Sequence, residues 1–247
     1  MPREWDARTY DTLPLPHQQW GRRTLERLRL RGDEVVLDAG CGTGRDTALL
    51  LERLNAGRVV AVDASSRMLE RLRERLAGRL DRVEVIQADL TEPLPAALEV
   101  DAVFSVAAFH WIADHQALFA NLAKVLRPGG QLVAECGGQG NVATVATALR
   151  EVQGDGGPAV WNFAGVDDTR RRLEQAGFTA IEVGLLPDPA RLEPGEQLHR
   201  YLATVVLGSH LDRLPAAERD GFVRAVAERL PEPVVDYVRL TISARRG

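Results

Sequence analysis

The segment VVLDAGCGTG, from Val35 to Gly44, constrains the fold more than any other part of this sequence. It joins an apolar, β-branched run to three glycines within five positions, and a helix-period segment follows. Glycine lets the backbone turn tightly and lets a ligand approach the main chain closely. A buried strand, a glycine-rich turn and a helix in this order predict an open parallel sheet that binds a ligand beyond the end of its first strand.

Apolar runs alternate with helix-period segments along the chain, which predicts an α/β fold: a doubly wound parallel sheet with helices on both faces. The predicted strands are Glu34–Asp38, Arg58–Val62, Val83–Gln87, Asp101–Val106 and Gln131–Cys136. The helices predicted between them are Asp46–Leu54, Ser66–Leu76 and Gln116–Leu126. Outside this core the patterns predict helices over about 16–30, 141–153 and 168–176, a strand over 179–186, mostly helical chain over 193–230 and a last strand over 234–244.

Composition argues against several classes of function. The net charge is −4 and the basic residues are spread along the chain, whereas a duplex nucleic acid partner usually needs a basic face. No uncharged stretch approaches the roughly 18 residues needed to cross a bilayer, and the segment MPREWDARTY has no apolar signal region. Cys41 and Cys136 are too few for a disulfide framework or a cysteine zinc site. We therefore expect a cytoplasmic protein, with a monomer favoured, that binds neither nucleic acid nor membrane.

Three carboxylates follow successive predicted strands beside the glycine turn. Asp38 lies just before the glycines, where it would repel a pyrophosphate and attract an amino group. Asp63 ends the second strand, where it can accept both ribose hydroxyl protons, and Asp89 ends the third, where it can accept from an exocyclic amine. Arg45 replaces the third glycine of the dinucleotide fingerprint, which disfavours a nicotinamide-dependent oxidoreductase. A ligand with an amino group, a ribose and an adenine but no phosphate describes S-adenosylmethionine.

This set resembles the class I S-adenosylmethionine-dependent methyltransferases over nearly the whole chain. The resemblance implies a mostly parallel, seven-stranded sheet with an antiparallel late strand and a helical substrate cap. The implied cofactor contacts are Asp38, Gly40, Cys41 and Gly42 at the methionine end, Asp63 at the ribose, Asp89 and Leu90 at the adenine edge, Ala64 and Met68 at the adenine face, and Ser105 and Val106 beside the sulfonium.

No internal repeat, low-complexity tract or long linker divides the chain, so we expect one domain over residues 1–247. Residues 1–30 would form an N-terminal lid and helix. Residues 31–153 would form the cofactor-binding core, and residues 154–247 the substrate cap and the last strands.

A narrower resemblance rests on the segments WDARTY, FSVAAFHWIADH, LRPGGQLVAECGGQGN and RRLEQAGF. They are similar to the trans-aconitate methyltransferase-like enzymes, a group that includes carboxyl methyltransferases acting on malonyl thioesters. The resemblance implies methyl transfer to a small molecule, chiefly O-methylation of a carboxylate. The segment from Ser105 to Ala108 lacks the Pro-Pro-aromatic and Pro-Cys motifs of nucleic acid methyltransferases. N-, C- or phenolic O-methylation of another metabolite, or a cofactor-binding protein without catalysis, stay open as alternatives.

The segment AAFHWIADH, Ala107 to His115, has three interpretations: a metal site, a packed corner or a pocket wall. A metal site needs three or more converging ligands, whereas Asp114 is better placed to accept from the first amides of the next helix. Phe109, His110 and Trp111 follow the fourth strand over the ligand crevice, so we predict a substrate-facing wall without a metal. His110 is the predicted catalytic residue. It would be a hydrogen-bonding group toward a carboxylate and a base toward a phenol.

Further substrate contacts are expected from segments that flank the core. The segment Trp5–Trp20 is predicted to fold over the cofactor as a lid, with Tyr10 and Gln18 as contacts. Trp161 and Tyr201 are predicted to line the far side of the crevice. An acidic substrate would pair with an arginine, and the candidates are Arg191, Arg200 and Arg239.

Overall fold

The secondary structure follows the apolar pattern of the sequence. A computed structural model, which describes residues 17–154 and 160–247, contains the strands β1 (Val35–Ala39), β2 (Arg58–Asp63), β3 (Val83–Gln87), β4 (Val100–Val106), β5 (Leu126–Gly137), β6 (Phe178–Pro187), β7 (Ala190–Arg191), β8 (Val234–Val235) and β9 (Val238–Arg246). Its helices are α1 (His17–Arg27), α2 (Arg45–Arg53), α3 (Ser66–Arg75), α4 (His115–Val125), α5 (Ala143–Gln153), α6 (Val166–Gln175), α7 (Glu196–Tyr201), α8 (Gly208–Leu211) and α9 (Ala216–Ala227).

Seven of these strands form one sheet in the order β3-β2-β1-β4-β5-β9-β6. The strands β1 to β5 pair in parallel, whereas β9 lies antiparallel between β5 and β6. The mostly parallel, seven-stranded sheet with an antiparallel late strand is therefore confirmed. The strand order reverses between β1 and β4, and ligands bind at such a switch point, outside the carboxyl ends of the strands.

Successive residues of the central strands point to opposite faces of the sheet, and both faces are buried. On one face Val36, Val59 and Phe104 pack in a cluster that includes α1, α2, α3 and α5 and the helical segment after residue 196. On the other face Leu37 and Val60 pack with α4 and α6. Burial on both faces explains why these strands appear in the sequence as nearly continuous apolar runs.

Two helices begin at side-chain caps that hold them at the end of the sheet used by the site. The Ser65 hydroxyl accepts from the Met68 amide at 3.3 Å and starts α3. The Asp114 carboxylate accepts from the Ala117 amide at 2.9 Å and starts α4, as predicted. Each cap satisfies an amide that the first helical turn leaves without a partner.

The later part of the chain differs in detail from the prediction. Strand β5 begins at Leu126 rather than Gln131, because Leu126 already pairs with Val100 of β4. The predicted helical stretch over 193–230 divides into α7, a π-helical turn (Leu202–Val206), α8 and α9. The predicted last strand is split, and its first part, β8, pairs with β7 in a separate two-stranded ribbon.

None of the helices within residues 17–154 and 160–247 combines the length and the apolar character needed to cross a membrane.

Candidate functional site

The carboxyl ends of β1 to β4 open into a cavity of about 680 Å³. Residues beside the end of each strand line it, among them Gly40 after β1, Asp63 at the end of β2, Asp89 after β3 and Ala107 after β4. Pockets for small ligands usually measure about 300–1,000 Å³. The fold therefore places a cavity of suitable size at the switch point of the sheet.

The glycine turn after β1 needs glycine for two different reasons. Gly40 and Gly42 have φ of 80° and 53°, in the left-handed region that favours glycine. A Cβ on Gly40 would lie 2.3 Å from the Cβ of Ala108, so a side chain would push β1 and the segment after β4 apart. A Cβ on Gly42 would meet nothing within 4 Å, so a ligand can approach the main chain there. A second cavity of about 290 Å³ adjoins the turn, and Cys41 lines it.

Asp63 accepts two main-chain hydrogen bonds while lining the larger cavity. Its Oδ2 accepts from the Gly42 amide at 2.9 Å, and its Oδ1 accepts from the Ser65 amide at 2.9 Å. A carboxylate offers about four lone-pair sites, so these two bonds do not exhaust its capacity for ribose hydroxyls. The same side chain therefore holds the glycine turn against the start of α3 and faces the ligand space.

The residues predicted at the adenine come together on one side of the larger cavity. Asp89, Leu90, Ala64 and Met68 all line it, and Leu90 and Met68 are buried. Oδ1 of Asp89 accepts from the amide and the hydroxyl of Thr91 at 2.9 and 2.8 Å, which leaves Oδ2 for an exocyclic amine. The structure thus places an apolar face beside a hydrogen-bond acceptor, as an adenine requires.

Asp38 is buried behind the glycine turn and is not among the described residues that line either cavity. Its Oδ2 accepts from the Thr47 hydroxyl at 2.6 Å. Burial, helped by the nearby Asp46 carboxylate, raises the pKa of Asp38 to about 8. An amino group brought beside Asp38 would favour the ionised form, and the predicted contact with the methionine end stays a prediction.

Asp38 makes stability depend on pH in a direction that its burial determines. Its folded pKa of about 8 lies above the unfolded value of about 3.9. Its contribution to stability is therefore fully present below about pH 4 and is lost as the pH rises through about 8.

Without ligand, the wild type should lose stability relative to Asp38→Asn as the pH rises from about 5.5 to about 8.5. The slope should not exceed about 1.4 kcal/mol per pH unit, the limit for one proton. Urea unfolding of both proteins across this range measures the slope. A difference that stays constant with pH would contradict the raised pKa.

The end of β4 brings one of its two predicted cofactor residues to the cavities. Val106 lines both of them. Ser105 is buried and donates to the Ala39 carbonyl at 2.7 Å, so it ties β4 to β1 and is not among the described lining residues. Beyond it, Ala107 has a left-handed φ of 57°, as Val142 does at 49°, and both line the larger cavity. Strained backbone of this kind often lies at functional sites.

His110 lies in a 3₁₀ turn (Phe109–Trp111) that follows β4, and it lines the larger cavity. The main-chain N–H of Gly137, at the end of β5, donates to its Nδ1 at 3.2 Å. A neutral imidazole carries one proton, so an Nδ1 that accepts leaves this proton on Nε2. The fold therefore makes Nε2 of His110 a hydrogen-bond donor.

Trp111 and Trp161 line the same cavity and lie on two segments that are joined by Asn162. The Asn162 amide donates to the His110 carbonyl at 2.9 Å. Its side chain donates to the carbonyls of Ile112 and Ala113 at 3.1 and 2.9 Å. These bonds fix both tryptophans in one wall, a role of Asn162 that no local sequence pattern indicates.

Two residues predicted to face the substrate lie elsewhere. Phe109 is fully buried and packs edge-on against Phe119 of α4, because the 3₁₀ turn directs it into the core below His110. Tyr201 is also buried, and its hydroxyl bonds to that of Tyr237 at 2.7 Å. Neither is among the described residues that line the cavity, whereas Tyr237 is. The proposed wall is therefore corrected to His110, Trp111 and Trp161.

The remaining predicted contacts divide into three groups. Tyr10 lies outside the described residues, as does the side chain of Gln18. Arg191 and Arg200 are exposed and are not among the described lining residues. Arg239 does line the cavity, and it is almost completely buried.

The histidine of α4 has a packing role. His115 is buried, and its Nε2 bonds to the Phe109 carbonyl at 2.9 Å. Burial lowers its pKa and so favours the neutral form. Within residues 17–154 and 160–247, no group of three or more His, Cys, Asp or Glu side chains is arranged to hold a metal ion.

The larger cavity fits the predicted cofactor by its chemistry. It offers carboxylate acceptors for a ribose and an amine at Asp63 and Asp89, an apolar face at Met68, and an accessible main chain at Gly42. A phosphate-binding site would instead present donors where these two carboxylates lie.

Comparisons with known proteins agree with this chemistry. Residues 36–130 match the family model described as "Methyltransferase domain". The chain is 28% identical over 241 residues to a trans-aconitate 2-methyltransferase of Acidovorax sp. (strain JS42), covering 93% of this chain and 90% of the relative. It is 31% identical over 207 residues to uncharacterized methyltransferase C70.08c of Schizosaccharomyces pombe, covering 78% and 77%.

A malonyl-[acyl-carrier protein] O-methyltransferase of Methylovorus sp. (strain MP688) is 35% identical over 183 residues, which cover 70% of this chain and 60% of the relative. The fold also matches the solved phosphoethanolamine N-methyltransferase 2 of Haemonchus contortus in complex with S-adenosyl-L-methionine. That match has a TM-score of 0.63 and 21% identity, and it covers 92% of this chain and 52% of the other. The protein is therefore an enzyme that uses S-adenosyl-L-methionine, and the chain, which is similar to the trans-aconitate methyltransferases, belongs to the class I S-adenosylmethionine-dependent methyltransferases.

Proposed function

We propose that this enzyme methylates a carboxylate oxygen of a small molecule. The observation that carries the proposal is the hydrogen bond from the Gly137 amide to Nδ1 of His110. It leaves the proton on Nε2, so His110 can donate to an acceptor but has no lone pair on Nε2 with which to remove a proton.

The nucleophile must then be reactive without losing a proton to His110. A carboxylic acid with a pKa near about 4 is ionised at neutral pH, whereas a phenol or an alkylamine with a pKa near about 10 is protonated. Two of the acidic side chains that line the larger cavity, Asp63 and Asp89, are proposed to hold the cofactor, and a third, Asp114, caps α4. A carboxylate acceptor is the nucleophile that suits a donor-only histidine.

The names of two relatives favour the same chemistry. One is a trans-aconitate 2-methyltransferase and another a malonyl-[acyl-carrier protein] O-methyltransferase. Both named substrates carry carboxylates. The identities of 28% and 35% support this acceptor class as a proposal for the present chain.

The chain's own residues would contribute mainly binding and orientation. When bound, the cofactor supplies an electrophilic methyl group. Asp63 and the glycine turn would fix the cofactor, and Nε2 of His110 would hold the acceptor carboxylate in line with that methyl group. Positioning of this kind is worth up to about 7–11 kcal/mol. Trp111 and Trp161 would exclude water while opposite charges neutralise each other.

A labelled-methyl transfer assay with chemical discrimination of the product tests the proposal. Acceptors would be short carboxylic acids, phenols and amines, including trans-aconitate. Mild alkaline treatment hydrolyses a methyl ester to volatile methanol but leaves methyl ethers and methylamines intact. We expect label in the volatile fraction with acids only. Stable label on a phenol or an amine would overturn the carboxylate assignment.

His110→Gln should lower kcat only several-fold. A glutamine amide can accept from the Gly137 amide and donate from its NH₂ group, so it reproduces both proposed hydrogen bonds of His110 without its basicity. Removal of a true general base would cost about 10²–10⁴-fold. The measurement is kcat against pH for both proteins, and the wild-type profile should show no limb near about 6.5, the usual histidine pKa.

His199→Gln is the matched control, since His199 lies on α7 and is not among the described residues that line the cavity. A loss beyond about a hundredfold in His110→Gln, with unchanged affinity for S-adenosylhomocysteine, would show that His110 acts as a base.

A further inference from the structure

The side chain of Arg239, in β9, is buried and incompletely bonded. Only 1% of the residue is exposed. Its Nε donates to Oε1 of Glu135 at 3.3 Å, and its guanidinium lies 3.7 Å above the Trp20 ring. Within the part of the chain that the structure describes, its Nη2 has no hydrogen-bond acceptor. A buried charged donor without an acceptor is costly, so this nitrogen is suited to donate to an anionic group.

Arg239 shares the negative charge of Glu135 with a second arginine, Arg23. Arg23 contacts both oxygens of Glu135, at 3.1 and 2.6 Å, and contacts Asp188 at 3.0 Å. The Nε–H of Arg239 donates to the same Glu135 oxygen that accepts the shorter bond from Arg23. The guanidinium of Arg239 is therefore less fully compensated than that of Arg23, and it is the one that lines the cavity.

Gly137 is a shared neighbour of Arg239 and His110. Arg239 is the direct partner of Gly137 across β5 and β9, and cross-strand partners lie on the same face of a sheet, about 4.5–5.5 Å apart. A Cβ on Gly137 would lie 2.7 Å from Phe163 and 2.8 Å from Asn141. Both of these residues line the cavity, so the face of the sheet that Gly137 and Arg239 share is the one next to the cavity. Gly137 is also the residue whose amide bonds to His110. His110 and Arg239 therefore line one cavity and adjoin the same residue of β5.

Two neighbouring side chains add donors at this end. The Oδ1 of Asn141 accepts from the Val238 amide at 2.9 Å, which orients its Nδ2 as a donor. Burial raises the pKa of Tyr237 to about 12, so its hydroxyl stays protonated, and it can donate to a ligand when the Tyr201 hydroxyl donates to it. Asn141, Tyr237 and Arg239 all line the cavity. A group of donors with a guanidinium fork suits a carboxylate.

We propose that Arg239, with Asn141 and Tyr237, binds a second carboxylate of the acceptor, so that the substrate is a short dicarboxylate methylated at the end held by His110. This inference rests on the proposed carboxylate methylation and adds a specificity-determining residue to it.

The wild-type enzyme provides the first test. Succinate and glutarate are compared with succinamate and glutaramate, in which a carboxamide replaces the distal carboxylate at the same chain length. We expect kcat/KM to favour each diacid by at least about tenfold, mainly through KM. Equal kcat/KM values within each pair, with methyl esters formed on both, would overturn the Arg239 subsite and leave carboxylate methylation standing. An absence of base-labile label on every acid would instead overturn the proposed function.

Variants separate binding from packing. In Arg239→Gln and Arg239→Lys the ratio of diacid to monoamide kcat/KM should fall toward one. Arg191→Gln, which removes an exposed arginine paired with Glu232, should keep the wild-type ratio. If Arg239 had a purely structural role, its variants would lower kcat/KM for the diacid and the monoamide in proportion. The ratio would then stay at the wild-type value, which would contradict the proposal. Calorimetric binding of S-adenosylhomocysteine verifies that each variant is folded. If Arg239→Gln is not folded, Arg239→Lys alone provides the test.

Discussion

Glu135→Gln should lower the free energy of unfolding by about 3–5 kcal/mol, the usual cost of breaking a buried ion pair from one side. Glu135 is fully buried. It accepts from Arg23 and Thr24 of α1 and from Arg239 of β9. A neutral amide in its place would leave the buried Arg239 guanidinium without a carboxylate and would loosen α1 from the sheet. Urea unfolding near pH 7 measures the loss.

Glu232→Gln is the matched control. Glu232 pairs with Arg191 at 2.6 Å, but their side chains are 61% and 69% exposed. Exposed ion pairs contribute about 0–1 kcal/mol. A loss below about 1 kcal/mol in Glu135→Gln as well would show that the buried cluster does not depend on its central charge.

Asp63→Ala should weaken the binding of S-adenosylhomocysteine by about tenfold to a hundredfold, which corresponds to about 1.5–3 kcal/mol for bonds to a charged acceptor. Two effects combine. The variant would lose the acceptor proposed for the ribose hydroxyls, and it would lose the bonds that hold Gly42 and Ser65 in place. Asp63→Asn, which keeps one acceptor oxygen, should show a smaller loss. Isothermal titration calorimetry measures all three dissociation constants.

Asp81→Ala provides a comparison for Asp63→Ala, because Asp81 is exposed in the turn before β3 and is not among the described residues that line either cavity. Its dissociation constant should equal that of the wild type. An unchanged constant in Asp63→Ala would place the ribose elsewhere.

Much of the core was predictable because its constraints are local in sequence. A strand buried on both faces appears as a continuous apolar run, so β1 to β4 agree with their predicted bounds to within one residue at each end. The residues that end or follow strands in a parallel sheet share one edge, which is why Asp63, Asp89 and Gly40 were predicted to line one crevice. In the structure they line one cavity.

The substrate side depends on contacts that no local pattern reveals. A 3₁₀ turn gives no periodicity from which to tell that Phe109 faces the core while His110 and Trp111 face the cavity. Tyr201 and Tyr237 both lie in the later part of the chain, and only their mutual packing decides which one lines the cavity. Arg239 was one of three arginines that the sequence offered equally. Its pairing with Gly137, about a hundred residues earlier, separates it from the other two.

The hydrogen bond between Gly137 and His110 reverses the polarity found in a Ser-His-Asp triad. In such a triad a carboxylate accepts from Nδ1–H and leaves Nε2 as the proton acceptor. Here a main-chain donor occupies Nδ1, so the neutral ring carries its proton on Nε2. Because the donor belongs to the backbone of β5, no ordinary side-chain replacement at position 137 converts it into an acceptor. Redesign of this pocket for phenols would therefore require a new base on another element rather than a retuned His110.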